Sequence, residues 1–368
     1  MTRIINVCGA RPNFMKIAPL MRAYRRHPQV EAVLVHTGQH YDRNMSELFF
    51  RQLAIPEPDV NLGVGSGSHA AQTAEIMKGF EPVLLKRRPD WVVVVGDVNS
   101  TIACGLVAKK LGVGLAHVEA GLRSFDRTMP EELNRLLTDA ISDLLFVSEP
   151  SGLENLRREG IPDEKVHFVG NVMIDTLRAN LEHAQRSTVL QDLALEAGGY
   201  NVVTLHRPSN VDDAGVFGGI ADALDTIQQD LPTVFPMHPR TVGNLARLGL
   251  ADRLAGMKRL RIVEPLGYLD FLKLLANAAV VLTDSGGIQE ETTILGVWCL
   301  TVRENTERPV TVTSGTNTIV GTDPDAIVAA YRRRRSEKLI DPPVPEKWDG
   351  QAAERIAHIL ATGNAPVV

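Results

Sequence analysis

The sequence predicts an α/β protein made of two Rossmann-like domains, each with a doubly wound parallel sheet, that face an interdomain cleft. Short runs rich in β-branched residues are apolar at nearly every position, as in strands buried on both faces of a sheet. These runs alternate with helical patterns, which is typical of parallel sheets. The chain has 368 residues. Because one hydrophobic core rarely serves so long a chain, we expect two domains.

The strand-like runs fall into two series. The first lies at 3–8, 31–36, 91–95, 114–118 and 143–147, and the second at 201–205, 233–238, 259–263, 279–284 and 297–302. The pattern restarts near residue 170, so we predict one domain over 1–170 and a second over 171–350. The helical pattern at the end of the chain, within 351–368, is expected to pack back on the first domain.

Composition and charge argue against several classes of protein. Lysine and arginine number 39 against 44 acidic residues, a net charge of −5, so no nucleic-acid partner is expected. No apolar stretch approaches the about 18 residues of a membrane span, and the amino terminus lacks the layout of a signal peptide. Cys8, Cys104 and Cys299 form no C-x-x-C pair. This indicates reduced thiols in a cytoplasmic protein, not a zinc site.

The residues that follow each strand are the candidates for a site, because open parallel sheets bind ligands beyond the carboxyl ends of their strands. After the first strand, "GARPNFMK" places Gly9 in a tight turn, with Arg11 and Lys16 close behind it at a helix start. Helix amides and two cations predict a phosphate site. The alternative is that both cations are solvated or pair with carboxylates.

Acidic residues follow the next strands of the first half. Asp97 comes after 91–95, Glu119 after 114–118, and Glu131 follows a proline at a helix start. Asp97 has an alternative role as a helix cap, and Glu131 as a favourable first-turn charge. Glu119 is harder to explain as a cap. Clustered carboxylates can hold Mg²⁺, but the histidines are scattered, so we predict no metal.

Three other strings are interpreted as structural features and not as parts of a site. The glycine-rich "GVGSGSH" at 63–69 lacks the preceding strand of a dinucleotide loop, so we interpret it as a loop with Ser68 as a helix N-cap. The "DPD" string at 323–325 is typical of an N-cap followed by proline. The basic "YRRRRSEK" at 331–338 is interpreted as the solvated end of a helix.

Basic residues follow two strands of the second half. His206 and Arg207 follow 201–205, and His238 and Arg240 follow the next strand. Histidine titrates near neutrality and arginine binds phosphate, so a functional role is as plausible as a structural one.

The string "TDSGGIQEE" feeds the strand at 279–284 into a helix. Ser285, Gly286 and Gly287 offer a hydroxyl and helix amides to a phosphate, and Glu291 can accept two ribose hydroxyls. A capping role for Ser285 is the alternative. Arg303 and Arg308, after the following strand, add cations near the same edge.

Taken in order, the strings "GARPNFMK", "GDVNST", "HVEAGLRS", "PEELNR", "TLHR", "TDSGGIQEE" and "TERPV" resemble those of the non-hydrolysing UDP-N-acetylglucosamine 2-epimerases, which have the GT-B fold. The resemblance spans about residues 4–321. It implies reversible exchange of UDP-GlcNAc and UDP-ManNAc without cofactor or metal. UDP is eliminated to give a 2-acetamidoglucal and is added back after C2 is reprotonated. The resemblance also implies a homodimer.

The resemblance assigns roles to the candidate residues. The implied catalytic group is Asp97, Glu119, Glu131 and His206, with the individual roles of the carboxylates left open. Arg11, Lys16, His206, Ser285, Gly286, Gly287 and Arg308 match positions that contact the diphosphate, Glu291 matches the ribose-binding glutamate, and Phe271 matches the residue near uracil. His238 is added as a substrate-binding candidate. A core position is the alternative for Phe271.

Two departures from the family pattern put one property in doubt. The family commonly has H-R-R-E where this chain has His206, Arg207, Pro208 and Ser209, and Q-H-R where this chain reads Q-H-Y at 39–41. Bacterial members are activated through these regions by a second UDP-GlcNAc, so that regulation is uncertain here. Three alternatives stay open: a hydrolysing epimerase that releases ManNAc, a GT-B glycosyltransferase, and a UDP-sugar sensor without turnover.

Overall fold

The computed structural model describes residues 1–38, 53, 55–237 and 239–362. The chain forms two compact units, Met1–Ala179 with Glu346–Val368, and Asn180–Pro345. Each unit contains one sheet, and every strand pairing in the described ranges is parallel. The predicted two-domain α/β class is therefore confirmed.

The first unit contains a seven-stranded sheet. Its strands are β1 (Thr2–Cys8), β2 (Val30–His36), β3 (Val60–Asn61), β4 (Trp91–Val95), β5 (Gly114–Ala120), β6 (Leu144–Val147) and β7 (Val166–Phe168). They lie in the order β3-β2-β1-β4-β5-β6-β7, which reverses direction between β1 and β4. That pair of strands is the topological switch point of a doubly wound sheet.

The five strands predicted in this half are confirmed, with small shifts at their ends. β4 shows why: Val92, Val93, Val94 and Val95 are each at most 1% exposed, as expected where helices cover both faces. β3 and β7 were not predicted. They have only two and three residues, too few to produce a periodic pattern.

Helices cover both faces of this sheet. They are α1 (Arg11–Tyr24), α2 (His69–Arg87), α3 (Asn99–Lys110), α4 (Pro130–Ile141), α5 (Pro150–Arg158) and α6 (Val172–Gln185), the last of which continues into the second unit. The hydroxyl of Ser68 accepts the amide of Ala71 at 3.2 Å, so the predicted N-cap of α2 is confirmed.

The second unit repeats this architecture with six strands. They are β8 (Asn201–Thr204), β9 (Thr233–Pro236), β10 (Leu260–Val263), β11 (Val280–Thr283), β12 (Trp298–Thr301) and β13 (Asn317–Ile319). Their order is β10-β9-β8-β11-β12-β13, so the switch point lies between β8 and β11. The five predicted strands are again confirmed, and the three-residue β13 was missed.

Its helices connect the strands in the same way. They are α7 (Val189–Asp192), α8 (Pro208–Val211), α9 (Ala214–Asp230), α10 (Pro239–Arg247), α11 (Ala251–Ala255), α12 (Tyr268–Ala276), α13 (Gly286–Leu295), α14 (Val310–Thr313) and α15 (Pro324–Ser336). Asp323 accepts the amide of Ala326 at 2.8 Å, which confirms the N-cap predicted for α15. The basic run forms the last turn of that helix, as predicted.

The chain returns to the first unit at its end, where α16 (Ala352–Thr362) packs on α1. The buried indole of Trp348 donates to the carbonyl of Ser148 at 2.9 Å. The carboxylate of Asp175 accepts two amides at the start of α16, at 3.2 and 2.7 Å, and so caps this helix. Burial raises the pKa of Asp175 to about 6, although these amides oppose the shift.

Two sequence predictions concern thiols and membranes. Cys8, Cys104 and Cys299 are all buried and free of disulfides. In the described ranges, the helices are too short or too polar to cross a membrane.

Candidate functional site

The turn after β1 is built around Asn13. Its side-chain oxygen accepts the amides of Gly9 and Ala10 at 3.0 and 3.1 Å, and its side-chain nitrogen donates to the carbonyl of Val95 at 3.1 Å. A Cβ on Gly9 would lie 2.1 Å from the hydroxyl of Ser100, so only glycine fits. Because Asn13 already binds two amides of this turn, fewer remain for a phosphate than the sequence suggested.

Lys16, from α1, reaches Glu119 at the end of β5. The ammonium group forms an ion pair with the carboxylate, and the two side chains are only 8% and 3% exposed. This is the carboxylate-paired alternative noted for Lys16. A Cβ on Gly96 would lie 2.7 Å from the Lys16 nitrogen and 3.5 Å from Glu119 Oε2. Both groups therefore lie beside the residue that precedes Asp97. The side chain of Arg11 is outside the described part of α1.

Glu119 was predicted to follow the strand, but it lies within β5. β5 continues to Ala120, with a register shift between Val118 and Ala120, and Glu119 has a φ of 75°. The prediction that the strand ends at 118 was wrong because a bulge interrupts the pairing without ending it. A left-handed conformation is costly for a non-glycine residue, and such strain is typical of functional sites.

Asp97 binds an arginine and does not cap a helix. The N-cap residue of α3 is Val98, without a side-chain cap. The Asp97 carboxylate accepts two hydrogen bonds from Arg135, from Nε at 3.0 Å and from Nη2 at 2.7 Å. The capping interpretation of Asp97 is therefore wrong, and the carboxylate is fixed by a neighbouring helix.

Glu131 lies in the first turn of α4, where its charge favours the helix start. It also lines a pocket of about 240 Å³ together with Asp97, so two of the three carboxylate candidates share one cavity. His69 and Asn134 contribute to the same walls. The glycine-rich loop contributes Ser66 and Gly67, a role that its sequence did not indicate.

A buried ion cluster connects β5 to α4. His117 Nδ1 is 2.6 Å from Asp139 Oδ1, and Nε2 is 2.8 Å from the carbonyl of Gly96. Arg123 Nη2 is 2.7 Å from the other oxygen of Asp139. Burial acts to raise the pKa of Asp139, but the charges and hydrogen bonds of His117 and Arg123 outweigh it, and the pKa is lowered.

This cluster connects the backbone segments that carry Asp97 and Glu119. The carbonyl of Gly96 precedes Asp97, and the amide of Gly121, two residues after Glu119, donates to Asp139 at 3.0 Å. His117 and Asp139 were missed in the sequence, where a lone histidine inside an apolar run carries no specific signal.

His206 follows β8 in the second unit and faces Asp284, which follows β11. The ring nitrogen Nδ1 lies 2.9 Å from Asp284 Oδ1, and Asp284 also accepts the amides of His206 and Arg207. Burial acts to raise the pKa of Asp284, but the hydrogen bonds and charge of His206 outweigh it, and the pKa is lowered. His206 is thus oriented by a buried carboxylate that the sequence analysis did not single out.

Ser285, Gly286 and Arg308 meet at the start of α13. Ser285 occupies the N-cap position, but its side chain makes no capping hydrogen bond. A Cβ on Gly286 would lie 2.6 Å from Nη1 of Arg308, so the guanidinium itself requires glycine there. Arg308 is held by Glu290, which accepts from Nε at 2.6 Å. Gly287 is the second residue of the same helix.

Glu291 is buried one turn further along α13. Burial, reinforced by the negative charge of Glu290, raises the pKa of Glu291 to about 8, although a hydrogen bond from Tyr268 opposes the shift. A hydroxyl-bearing ligand that donates to this carboxylate would favour its ionised form.

Other candidates of this unit have different surroundings. Phe271 is partly buried and packs against a hydrophobic core, which agrees with the core alternative. Arg303 binds Glu307 at 2.9 and 3.1 Å, so this cation is engaged in a buried pair. Burial acts to raise the pKa of Glu307, but Arg308 and Arg303 lower it far below its usual range. His238 lies outside the described residues.

Within the described ranges, no group of three or more histidine, cysteine, aspartate or glutamate side chains is placed to hold a metal ion.

The first unit has a parallel sheet with acidic residues at its switch point. The second has a parallel sheet in which Ser285, Gly286 and Gly287 begin a helix after one strand. Together they define a two-domain α/β protein of the GT-B type. Residues 22–361 match the model of a family described as UDP-N-acetylglucosamine 2-epimerase. The chain belongs to this family.

Its relatives are similar over nearly their whole length. A UDP-N-acetylglucosamine 2-epimerase of Methanocaldococcus jannaschii is 42% identical over 97% of this chain and 98% of the relative. A UDP-2,3-diacetamido-2,3-dideoxy-D-glucuronate 2-epimerase of Pseudomonas aeruginosa is also 42% identical, over 98% and 99%. The crystal structure of the M. jannaschii UDP-GlcNAc 2-epimerase in complex with UDP-GlcNAc and UDP matches this chain with a TM-score of 0.90. The match covers 98% of this chain and 99% of the chain in that structure.

Proposed function

We propose that this protein interconverts UDP-GlcNAc and UDP-ManNAc by inverting C2 of the sugar, without hydrolysis and without a cofactor or metal. One observation carries the proposal: Asp97, Glu119 and Glu131 gather around the switch point of the first sheet, and Asp97 and Glu131 share a pocket. The similarity to UDP-N-acetylglucosamine 2-epimerases over nearly the whole chain supports the choice of substrate.

The proposed reaction begins as an elimination. A carboxylate takes the proton from C2, the electrons of the C2–H bond form a C1–C2 double bond, and the C1–O bond breaks with its electron pair leaving on UDP. The products are 2-acetamidoglucal and UDP. Return of a proton to the opposite face of C2 and re-addition of UDP at C1 give the epimer. Because this C2 proton is only weakly acidic, several positioned acids and bases are needed.

We assign recognition of the nucleotide to the second unit. The hydroxyl of Ser285 and the amides at the start of α13 suit a diphosphate, and Arg308, held by Glu290, supplies positive charge. His206, held by Asp284, is placed to donate a hydrogen bond or proton to a departing phosphate. Glu291 is the proposed acceptor for the ribose hydroxyls. Arg11, Phe271 and His238 stay candidates for substrate contacts on the family resemblance alone.

A second candidate substrate has direct support. The P. aeruginosa relative acts on a UDP-2,3-diacetamido glucuronate and is as similar to this chain as the M. jannaschii enzyme. A panel of UDP-sugars, each followed by NMR at the C1 proton, separates the two. We expect UDP-GlcNAc to be converted fastest, and conversion of only the diacetamido uronate would transfer the proposal to that substrate.

The same assay distinguishes the other reactions. Free ManNAc together with UDP would indicate a hydrolysing epimerase, and a new glycoside formed only with an added acceptor would indicate a glycosyltransferase. We expect neither product, because the three carboxylates Asp97, Glu119 and Glu131 in the first unit favour proton transfer at the sugar over the binding of an acceptor. Binding without any turnover would indicate a sensor.

We also propose a homodimer, which the family resemblance implies, and a cytoplasmic location, which three cysteines without a C-x-x-C pair favour. Light scattering coupled to size-exclusion chromatography tests the dimer, with a mass of twice 40.2 kDa expected. A mass of 40.2 kDa at assay concentration would contradict it.

A further inference from the structure

Arg135 lies at the centre of the acidic site, but none of the roles assigned above belongs to it. It is on α4, one turn after Glu131, and its side chain is only 5% exposed. Nε and Nη2 both donate to Oδ2 of Asp97. On the other side, Nη1 donates to Oε2 of Glu132 at 2.5 Å. One guanidinium thus connects two carboxylates, of which one lines the pocket.

The contact between Arg135 and Asp97 has two consequences. Two donors of one planar group converge on a single oxygen, so they restrict the rotation of the Asp97 carboxylate. Arginine stays protonated at all accessible pH values, and an opposite charge at this distance favours the ionised form of a carboxyl group. Asp97 is therefore held as a carboxylate with a fixed direction, which is the state that a proton acceptor requires.

Glu132 holds Arg135 in place. Its carboxylate accepts the amide and the hydroxyl of Ser124 at 2.9 and 3.0 Å, and the amide of Phe125 at 3.0 Å. Ser124 and Phe125 belong to the loop that follows β5. Glu132, which had no role from the sequence, therefore anchors Arg135 to the loop behind Glu119.

We propose that Arg135 is a positioning residue that keeps Asp97 ionised and oriented for proton transfer at C2. This inference rests on the proposed epimerase function. Arg135 does not itself need to touch the substrate, because it acts through Asp97.

Several other charged or titratable groups surround Asp97. Lys16 and Glu119 lie beside Gly96, which precedes Asp97, and their charges oppose each other. His69, from α2, and Glu131, from α4, share the pocket with Asp97. Arg135 donates two hydrogen bonds to the carboxylate, so its removal should disfavour the ionised form of Asp97.

The test compares three variants with the wild-type protein. Arg135→Gln with Glu132→Gln removes both charges and leaves no unpaired buried carboxylate at 132. Arg135→Lys keeps the charge but loses the planar fork. Lys109→Met is the matched control, because it breaks an ion pair with Asp143 elsewhere in the same unit. For each protein, C2 deuterium exchange is measured from about pH 3 to pH 9, together with UDP affinity and the thermal midpoint.

We expect the double variant to lower kcat by about 100-fold, with KM and UDP affinity nearly unchanged. The acidic limb of its rate profile should move up by at most about one pH unit, because the loss of the guanidinium that contacts Asp97 outweighs the loss of the Glu132 carboxylate on its other side. Arg135→Lys should restore the position of this limb and part of the rate. Lys109→Met should keep the wild-type profile.

Other results would overturn the inference. A double variant with the wild-type rate and profile excludes the role of Arg135. The role is also excluded if the double variant is slow, its acidic limb does not move and Arg135→Lys is equally slow. Such a loss of rate reflects structure alone. If the wild-type protein binds UDP-GlcNAc but exchanges no deuterium, the proposed function fails, and the role of Arg135 fails with it.

Discussion

Asp97, Glu119 and Glu131 differ in their surroundings although they serve one proposed reaction. Asp97 binds Arg135, Glu119 forms a buried ion pair with Lys16, and Glu131 lies at a helix start in the pocket. Asp97 and Glu131 are partly exposed, whereas Glu119 is buried. The three carboxylates therefore differ in the groups that fix them and in their access to water.

We predict that Asp97→Asn, Glu119→Gln and Glu131→Gln each lower C2 exchange by at least about 100-fold, because each removes a proton-transfer group. UDP affinity should change little, since Ser285, Glu291 and Arg308, which are assigned to the nucleotide, are left intact. Isothermal titration with UDP and deuterium exchange measure the two properties. Glu154→Gln, at an exposed ion pair on α5, is the control and should keep full activity. Unchanged exchange in all three variants would refute the acid–base assignment.

Glu291 predicts a pH dependence of stability. Its pKa is raised by burial to about 8, above the usual value near 4.5, so the native protein binds more protons than the unfolded chain between these values. The free energy of unfolding from this group therefore falls as the pH rises through that window. Glu291→Gln removes the ionisation and should be more stable than the wild type at pH 8 by at least about 1 kcal/mol.

Urea unfolding at pH 5 and pH 8 checks this prediction. The gain should be small at pH 5 and larger at pH 8, and the variant should bind UDP more weakly because its neutral amide is a weaker acceptor for the ribose hydroxyls. A gain that is equal at both pH values would show that Glu291 does not titrate in this range.

At the scale of elements, α16 is joined to the first unit by a cap that is distant in sequence. We predict that Asp175→Ala destabilises this helix by about 1 kcal/mol, because the amides of Ala352 and Ala353 lose their acceptor. Hydrogen–deuterium exchange across 352–362 measures the effect. Asp175→Asn, which keeps an acceptor oxygen, is the control and should retain more protection than Asp175→Ala. Equal protection in both variants would contradict the capping role.

Local patterns predicted most elements, and the failures have physical causes. β4 is buried on both faces, so its sequence is apolar throughout and its bounds were correct. β3, β7 and β13 are too short for any period to appear. The bulge at Glu119 was invisible because it depends on pairing with β6, which the sequence does not encode locally.

The same distinction separates the site residues that were found from those that were missed. Asp97, His206 and Ser285 follow strands, so their place was predictable from chain order. Arg135 and Asp139 act on residues 38 and 22 positions away, and only the fold brings such pairs together. Asp284 was quoted in a motif, but its contact with His206 spans 78 positions.

At the scale of the whole molecule, one strand order is used twice for different chemistry. Each sheet reverses between its first and fourth strands, and each places its candidates at that switch point. In the first unit these groups are carboxylates with Lys16 and Arg135. In the second they are histidine, serine, glycine and Arg308. Proton transfer at C2 is thus assigned to the first unit, and the groups assigned to the diphosphate and ribose lie mainly in the second.

The central claim is that this protein breaks and remakes the C2–H bond of a UDP-sugar. Incubation of the wild-type protein with UDP-GlcNAc in deuterated water, followed by NMR, tests it most directly. We predict deuterium at C2 in both UDP-GlcNAc and newly formed UDP-ManNAc, without free ManNAc. If C2 stayed fully protiated at concentrations where UDP-GlcNAc binding had been demonstrated, the claim would be contradicted.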